Sequence, residues 1–480
     1  MSTLPASPPS TAHAFPLNAA GAIADPALQK AMGRLKGHFI DKRAAARARL
    51  PEFDALRDAA KAIKDHTLAH LDLYLERFEA QVTAAGGHVH WCRDAAEARA
   101  AVLAICREHG ARIVTKGKSM IGEEIGINPF LEAHGIEPVE TDLGEYIIQL
   151  AHEPPSHIIA PAVHKNKEQI SDLFVEHHHA GDRSRRLEGI PELVTEAREV
   201  LRRRFLEADV GITGANFLVA ETGQTVIVTN EGNGDLTQTL PRVHIVLASL
   251  EKVVPTLEDV SAVLRVLARS ATGQEFSTYT TFSCGPRRAG DHDGPGAFHV
   301  VLLDNGRTRL LGSEFREVLR CIRCGACMNH CPVYGAVGGH AYGWVYPGPI
   351  GSVLTPALVG LPEAHHLPNA STFCGRCEEV CPMRIPLPRM LRHWREREFA
   401  AGAAPAAARW GLGLWAWLAR RPALYRAAAR LAARALAFLG GPERRIRSLP
   451  LAGGWTGGRD LPAPEGRTFQ ALWAEGRGRR

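Results

Sequence analysis

The stretch Cys321-Ile322-Arg323-Cys324-Gly325-Ala326-Cys327-Met328-Asn329-His330-Cys331-Pro332 decides how the rest of the chain is read. Its spacing is C-x2-C-x2-C-x3-C-P. A second run, Cys374-Gly375-Arg376-Cys377-Glu378-Glu379-Val380-Cys381-Pro382, repeats the last three cysteine positions. The place of the first cysteine is taken by Ser371. Seven of the ten cysteines of the 480-residue chain lie between Cys321 and Cys381. A disulfide framework would instead spread them through a small secreted domain.

This spacing is that of paired iron–sulfur clusters, in which three close thiolates wrap one cube and the fourth reaches a second. Two-residue gaps let the backbone curl until three sulfurs converge, and the proline turns the chain away. Crossed ligation assigns Cys321, Cys324, Cys327 and Cys381 to one [4Fe–4S] cluster. Cys331, Cys374 and Cys377 hold the second, one thiolate short. That leaves a [3Fe–4S] cluster, or a [4Fe–4S] cluster with a non-cysteine ligand; Ser371, His365 and His366 are the nearest candidates. Structural zinc is the competing reading, since two C-x2-C pairs suit a tetrahedral ion. Zinc would use only four of the seven thiolates, and the first run is not a zinc-ribbon spacing.

Outward from the cysteines, composition bounds the molecule. Hydrophobic residues make up 45% and charged residues 22%, a balance that buries a core and excludes wholesale disorder. No apolar run reaches the roughly 20 residues of a membrane span. The longest, Trp410–Ala419, is ten residues with two glycines, flanked by Arg409 and Arg420. Residues 1–20 hold no Lys or Arg, so neither a signal nor a transit peptide is expected. The thiols are expected to be reduced and the protein cytoplasmic. The net charge of +6 is uneven: residues 401–480 hold 14 Arg, no Lys and 4 acidic residues. The body is therefore slightly acidic.

Four segments follow. Residues 1–66 comprise a mobile leader, to about residue 26, and N-terminal helices, with apolar residues at three- and four-residue intervals. Residues 67–305 alternate candidate strands (His88–Trp91, Arg112–Thr115, His157–Pro161, Thr225–Thr229, Val243–Ala248, Phe298–Leu303) with helices such as Ala95–Arg107, Lys167–Phe174, Pro191–Ala208 and Leu257–Leu267. That pattern predicts an α/β domain with a largely parallel sheet, and ligands there favour the carboxyl ends of strands. The loops to watch are Lys116–Asn128 and Asn230–Asp235. Residues 306–400 form the α-helical, ferredoxin-like two-cluster domain. Residues 401–480 form an Arg-rich amphipathic tail with Arg426, Arg430 and Arg434 at helical spacing. The tail suits peripheral contact with anionic lipid, or docking on a partner through Trp410, Trp415 and Trp417. Nucleic acid is not an expected partner.

Other signals are weaker. Gly117-Lys118-Ser119 lacks the upstream glycine of a P-loop, which would fall at Arg112, though a basic loop after a strand can hold an anion. The two prolines in His152-Glu153-Pro154-Pro155-Ser156-His157 rule out a zinc-protease helix. His177, His178 and His179 point in different directions on a helix and make no metal site. Gly211–Asn216 with Glu221 offers two readings, a carboxylate nucleophile or turn geometry with a structural acid; the second is preferred. Cys92, Cys106 and Cys284 read as buried small hydrophobes.

Several motifs together resemble the LUD domain of the lactate utilization proteins. They are Lys116-Gly-Lys-Ser-Met120 through Glu123-Glu124, Glu140–Glu145, Pro155-Ser-His157, Pro161–His164 and Gly214–Phe217 through Glu221-Thr-Gly223 to Asn233. Tyr342-Gly-Trp-Val-Tyr-Pro-Gly-Pro349 and the seven cysteines extend the match, which covers roughly residues 30–400. The resemblance implies a LUD domain similar to the sugar-isomerase and CoA-transferase fold. It also implies an iron–sulfur subunit of a three-part bacterial L-lactate oxidation system, with two clusters on the seven cysteines. Such a subunit passes electrons from lactate, as it becomes pyruvate, to an unidentified acceptor and works with the system's other subunits, allowing growth on L-lactate. Lys116, Lys118 and Glu221 are candidates for a lactate pocket; no catalytic residue is assigned. Arg323, Arg376 and Met383 offer two readings, neighbours that tune the cluster potentials or surface packing; the second is the simpler. The alternatives are an acyl- or CoA-transfer enzyme with structural clusters and Glu221 as nucleophile, and a zinc-binding scaffold.

Overall fold

The computed structural model describes residues 9–178, 187–450 and 452–477. Two compact units result, Met1–Arg397 and Glu398–Arg480. In the first, the described strands are β1 (His88–Cys92), β2 (Ile113–Gly117), β3 (Glu137–Glu140), β4 (Val210–Gly214), β5 (Phe217–Val219), β6 (Gln224–Thr229), β7 (Val243–Ser249), β8 (Val253–Val254), β9 (Tyr279–Ser283) and β10 (Ala297–Leu303). Six of them form a sheet in the order β1-β10-β7-β4-β2-β3, every neighbouring pair parallel. The other four pair as β8-β5-β6-β9.

Helices cover both faces of the six-stranded sheet, so its central strands are continuous apolar runs. Ile245 and Leu247 pack with Val102, Val301 and Leu303 on one side. Val246 and Ala248 pack with Phe78, Val300 and Leu302 on the other. Fully burying each Val, Ile or Leu is worth about 1.5–3 kcal/mol, which makes β7, with all seven residues buried, the anchor of the domain. The α/β fold and parallel sheet expected from the alternation are both present.

The cysteine-bearing segment is helical and shares one core with its surroundings. Tyr334, Tyr342, Tyr346 and Trp394 pack in the same cluster as Phe53, Val260 and Val263. The expected leader differs from what is found: from Ala12 the chain is helical and docked. Thr11 N–H donates to the Gly343 carbonyl at 2.8 Å, Ala12 is fully buried, and the Phe15 ring meets Tyr342 edge-on at 5.3 Å. The apolar face of Phe15–Ala24 has a partner that composition cannot reveal. Residues 1–8 lie outside the described residues.

The expected strand His157–Pro161 is a loop. Its backbone is satisfied by side chains instead of a ladder: His157 Nδ1 accepts the N–H groups of Ile159 and Ala160 at 3.1 and 3.2 Å. Ser156 Oγ donates to the Pro161 carbonyl at 2.8 Å.

The second unit contains helices Ala406–Ala419, Pro422–Leu439 and Phe469–Arg477 and a two-residue antiparallel pairing of Arg445–Ile446 with Leu461–Pro462. Trp410, Leu431 and Phe438 are exposed. Among the described residues, no helix is long and apolar enough to cross a membrane.

Candidate iron–sulfur centre and adjoining cavity

The two cysteine runs take the same backbone course. Arg323 (φ 59°) and Gly325 (φ 72°) are left-handed in the first, Phe373 (φ 55°) and Gly375 (φ 79°) in the second. A short helical turn follows each, Ala326–Asn329 and Arg376–Glu379. Left-handed backbone costs a non-glycine residue about 1–2 kcal/mol, so Arg323 and Phe373 need support. The Arg323 guanidinium lies 4.3 Å from the centre of the Tyr346 ring, and the Arg395 guanidinium 4.1 Å from that of Phe373. Arg323 N–H donates to Cys321 Sγ at 3.4 Å; at the matching position Phe373 N–H donates to Ser371 Oγ at 3.1 Å. The serine hydroxyl thus accepts the bond that the first thiol accepts in its own run.

Cys321, Cys324, Cys327 and Cys381 line one small void with Ile158 and Ile350. Burial, then the neighbouring Cys381, pushes the Cys324 thiol up to about 12. Cys331, Cys374 and Cys377 form the other group: burial, then Cys331 and Cys374, raises the Cys377 thiol to about 12. Thiols so raised must release protons to bind metal. Zinc fits poorly. Zn–S bonds of about 2.3 Å draw thiolates close together. Among the described residues, the one set of three His, Cys, Asp or Glu ligand atoms within 4.8 Å of one another is Glu153, His164 and His340, with no cysteine. No three thiol sulfurs among the described residues lie that close together.

The group of Cys321, Cys324, Cys327 and Cys381 is enclosed from two sides. Arg43 donates to the Val380 carbonyl at 2.8 Å, and Arg57 to that of Cys381 at 2.7 Å. His157, buried beside Gly325, bonds through Nε2 to Asn329 Oδ1 at 2.8 Å, and Tyr334 Oη donates to the Ser156 carbonyl at 2.7 Å. Because Nδ1 accepts two N–H groups, Nε2 carries the proton. Burial takes the His157 pKa down to about 4, which keeps the ring neutral. By contrast, Cys374 is exposed.

A cavity of about 160 Å³ lies at the carboxyl ends of β2, β4 and β7 and reaches Arg323. Lys118, Glu145, Asn216, Asn230, Lys252 and Tyr346 are among its walls, so both loops singled out after strands contribute. Behind it runs a buried ion network. Arg307 donates to both oxygens of Glu124 at 2.9 and 2.7 Å, and its Nε lies 2.9 Å from Glu251. Glu251 is 3.5 Å from Arg323, and Tyr346 Oη donates to Glu124 at 2.5 Å. Burial pushes the Glu251 carboxyl up, but Arg307 and Arg323 outweigh it and hold the pKa near 2, so it stays ionised. Burial, then the Arg323 charge, pulls Lys252 down to about 8. Burial, then Glu140 and Asp142, raises Glu145 well above the carboxylate range.

The candidates from sequence fare differently. Lys118 lines the cavity, paired with Asp142. Lys116 is spent beneath it, 2.6 Å from Glu123 and 2.7 Å from Glu140. Glu221 is outside the cavity walls and accepts the Leu257 N–H at 3.3 Å, at the start of helix Leu257–Ala271. Arg323 and Met383 are buried, contrary to the surface reading, whereas Arg376 is exposed and pairs with Glu379. Ser119 caps the following helix through Gly122 N–H. His178 bonds Tyr146 and faces Glu196; His179 lies outside the described residues. Glu251, Lys252 and Arg307 are not singled out by the sequence, whereas Tyr346 lies in the Tyr342–Pro349 motif. The end of β7, the longest fully buried strand, is the signal for Glu251 and Lys252.

The chain matches the LUD domain family over residues 75–303, the 4Fe-4S dicluster domain family over 317–385, and the family "Lactate utilisation protein B, C-terminal" over 382–477. It is 45% identical to lactate utilization protein B of Geobacillus thermodenitrificans (strain NG80-2) over 426 residues, 88% of each chain. The identity is 42% to that of Bacillus subtilis (strain 168), over 90% of each chain. An uncharacterized electron transport protein of Escherichia coli (strain K12) is 41% identical over 94% of each. A solved structure, of a DUF162 family protein from Deinococcus radiodurans, is distant: 14% identity and a TM-score of 0.28, over 48% of this chain and 98% of that one. With this identity sustained across both domains and the tail, the chain belongs to the lactate utilization protein B family.

Proposed function

We propose that this chain is the iron–sulfur electron-transfer subunit of an L-lactate oxidation system. The relatives' names, lactate utilization and electron transport, support that role. The observation that carries it is the arrangement of the seven thiols. Four are gathered beside the cavity that Arg323 lines, and three are gathered where Cys374 meets the surface. Conversion of L-lactate to pyruvate releases two electrons and two protons, and two clusters would carry the electrons singly between the interior and an acceptor.

In this reading Cys321, Cys324, Cys327 and Cys381 hold the first [4Fe–4S] cluster. Cys331, Cys374 and Cys377 hold the second, and Ser371 Oγ is its fourth ligand. The match between Ser371 and Cys321 in backbone course and accepted hydrogen bond supports that assignment. The chain's own groups do the rest: Arg43 and Arg57 fix the Val380–Cys381 backbone, and the neutral His157 holds the Asn329 turn in place. The helical tail, with its exposed Trp410 and Phe438 among arginines, makes peripheral contact with an anionic membrane surface. Glu221 is not among the residues that line the cavity beside Arg323, so the acyl-transfer reading gains no support from it.

Anaerobic purification with iron and sulfide analysis and EPR tests the proposal. About eight irons per chain and signals that grow when L-lactate and the partner subunits are added are expected. A colourless, zinc-loaded protein would overturn it.

A further inference from the structure

The loop from His152 to Lys165 meets the cysteine-bearing segment through a backbone contact. A Cβ on Gly339 would stand 1.7 Å from the Ser156 carbonyl oxygen, so only glycine fits there, and Tyr334 Oη donates to the same oxygen at 2.7 Å. The contact sets His340, next to Gly339, against His164 of the loop, with ring centres 4.5 Å apart. One ring nitrogen of each histidine and one carboxylate oxygen of Glu153 lie within 4.8 Å of one another, the one such trio among the described residues. Glu153 and His164 are half-buried and His340 is exposed, so the trio opens to the surface.

Hydrogen bonds decide where the lone pairs point. Ser156 Oγ has one proton, which it donates to the Pro161 carbonyl at 2.8 Å. Its oxygen therefore accepts from His164 Nδ1–H at 2.7 Å, which leaves Nε2 of the neutral ring with its lone pair. That nitrogen faces Glu153 Oε2 at 2.7 Å, so two acceptors stand together and call for a cation between them. A proton would serve two acceptors, but it has no use for a third. His340 is that third: its Nε2–H donates to the Pro154 carbonyl at 2.8 Å, which leaves the lone pair on Nδ1. Metal-binding histidines hold their other N–H on an oxygen in this way. Lys165 is bonded to the remaining Glu153 oxygen, Oε1, which orients the carboxylate and leaves Oε2 for the ion. Its charge weakens the hold on any cation, so the affinity rests on the two imidazoles.

Imidazole donors select ions such as zinc over magnesium or calcium, and two histidines with one carboxylate make a tetrahedral donor set with one position open. We propose that Glu153, His164 and His340 form a site for one divalent transition-metal ion of the zinc class, apart from the cysteines. The ion ties the His152–Lys165 loop of the α/β domain to the cysteine-bearing segment, and its fourth position is left to solvent on the exposed His340 side. The stretch His152–His157 fails as a zinc-protease helix because its prolines break helical spacing. Its Glu153 finds its histidines in the same loop and in a distant turn instead.

The test uses the full-length, iron-loaded protein, titrated anaerobically by calorimetry with Zn²⁺ and, as a control, Mg²⁺. One Zn²⁺ per chain is expected beyond the iron, held at least about tenfold more tightly than Mg²⁺. X-ray absorption at the zinc edge should show nitrogen and oxygen neighbours at about 2.0–2.2 Å and none at the roughly 2.3 Å of a thiolate. His340→Ala removes an exposed ligand and should weaken Zn²⁺ at least about tenfold, with iron content and the zinc-free melting temperature unchanged. Glu153→Gln should weaken it similarly. His70→Ala, which breaks the exposed His66–His70 pair elsewhere on the surface, should leave binding as it is. The proposal falls if the protein binds no Zn²⁺, if His340→Ala and Glu153→Gln bind it as the parent does, if His70→Ala abolishes binding (an adventitious ion only), or if sulfur neighbours appear. None of these outcomes alters whether the clusters reduce, so the electron-transfer reading stands or falls separately.

Discussion

The two cysteine runs follow one backbone course in opposite surroundings. Both carry a left-handed non-glycine residue, a left-handed glycine and a one-turn helix. The thiol group built on the first run, which Cys381 of the second run completes, has Arg43 and Arg57 bonded to the Val380 and Cys381 carbonyls, His157 at its side and the Glu124–Arg307–Glu251 network beyond Arg323. The second has an exposed cysteine, an exposed Arg376–Glu379 pair and a serine where the first has a thiol. Shared local geometry therefore sets where ligands converge, while tertiary packing sets how each group couples to the rest of the chain. One group lies wholly within the core and its edge; the other reaches the surface at Cys374.

The largest effect expected from breaking this contrast comes from the cysteines themselves. Cys324→Ser should lose about half the iron and lower the melting temperature by more than 10 °C, because the void it lines is inside the shared core. Cys374→Ser should lose a similar share of iron with a shift of only about 2–4 °C. Iron analysis with thermal melts of both variants decides this; equal destabilisation would erase the contrast.

Next in size are the charges. Arg307→Met strands two buried carboxylates, Glu124 and Glu251, and should cost about 3–5 kcal/mol in denaturant unfolding. The exposed counterpart beside the second run, Arg376→Ala, should cost under about 1 kcal/mol.

His157→Ala removes the partner of Asn329 and the acceptor of two backbone N–H groups, a cost of about 1–3 kcal/mol. The same histidine gives an acid dependence. Unfolding raises its pKa from about 4 to the free value of about 6.5, so the unfolded chain binds the extra proton as pH falls between them. Its contribution to stability is therefore complete above pH 6.5 and falls by about 2 kcal/mol at pH 5. Comparing parent and His157→Ala unfolding at pH 7.5 and 5 isolates it.

The smallest change sharpens the comparison most. Ser371→Ala should lower the iron count by about one per chain and bring out a three-iron EPR signal, with little change in stability. Ser371→Cys should keep the parent's count and make the second group resemble the first. An Ala variant with the parent's iron and spectrum would remove Ser371 from the ligand set.

Much of this was legible from spacing and periodicity. The cysteine runs and most long strands follow from local patterns, and β7 was placed to within one residue. Several features did not, for physical reasons. Glu137-Pro138-Val139-Glu140 looks unlike a strand because Pro138 and two acids break the apolar pattern, yet it forms the sheet edge, where proline is tolerated. Val210–Gly214 is weak in side chains because its neighbours come too close. A Cβ on Gly211 would stand 1.7 Å from the Thr237 carbonyl oxygen, so glycine is required there. Arg323 and Arg307 are charged, and charge reads as surface until the carboxylates that bury them are located. Those partners come from segments 72 and 183 residues away, beyond any periodic signal.

The grip of Arg43 and Arg57 on Val380 and Cys381 spans 337 and 324 residues of chain. A ribosome adds roughly 5–20 residues per second, so about 20–70 s pass between synthesis of that N-terminal segment and emergence of its partner. Throughout that interval the first thiol group is incomplete, since Cys381 is the last of the seven to be made. A metal group that needs Cys381 can be completed only once that interval has passed. Arg43 and Arg57 can close over Val380 and Cys381 only after those last residues have been made.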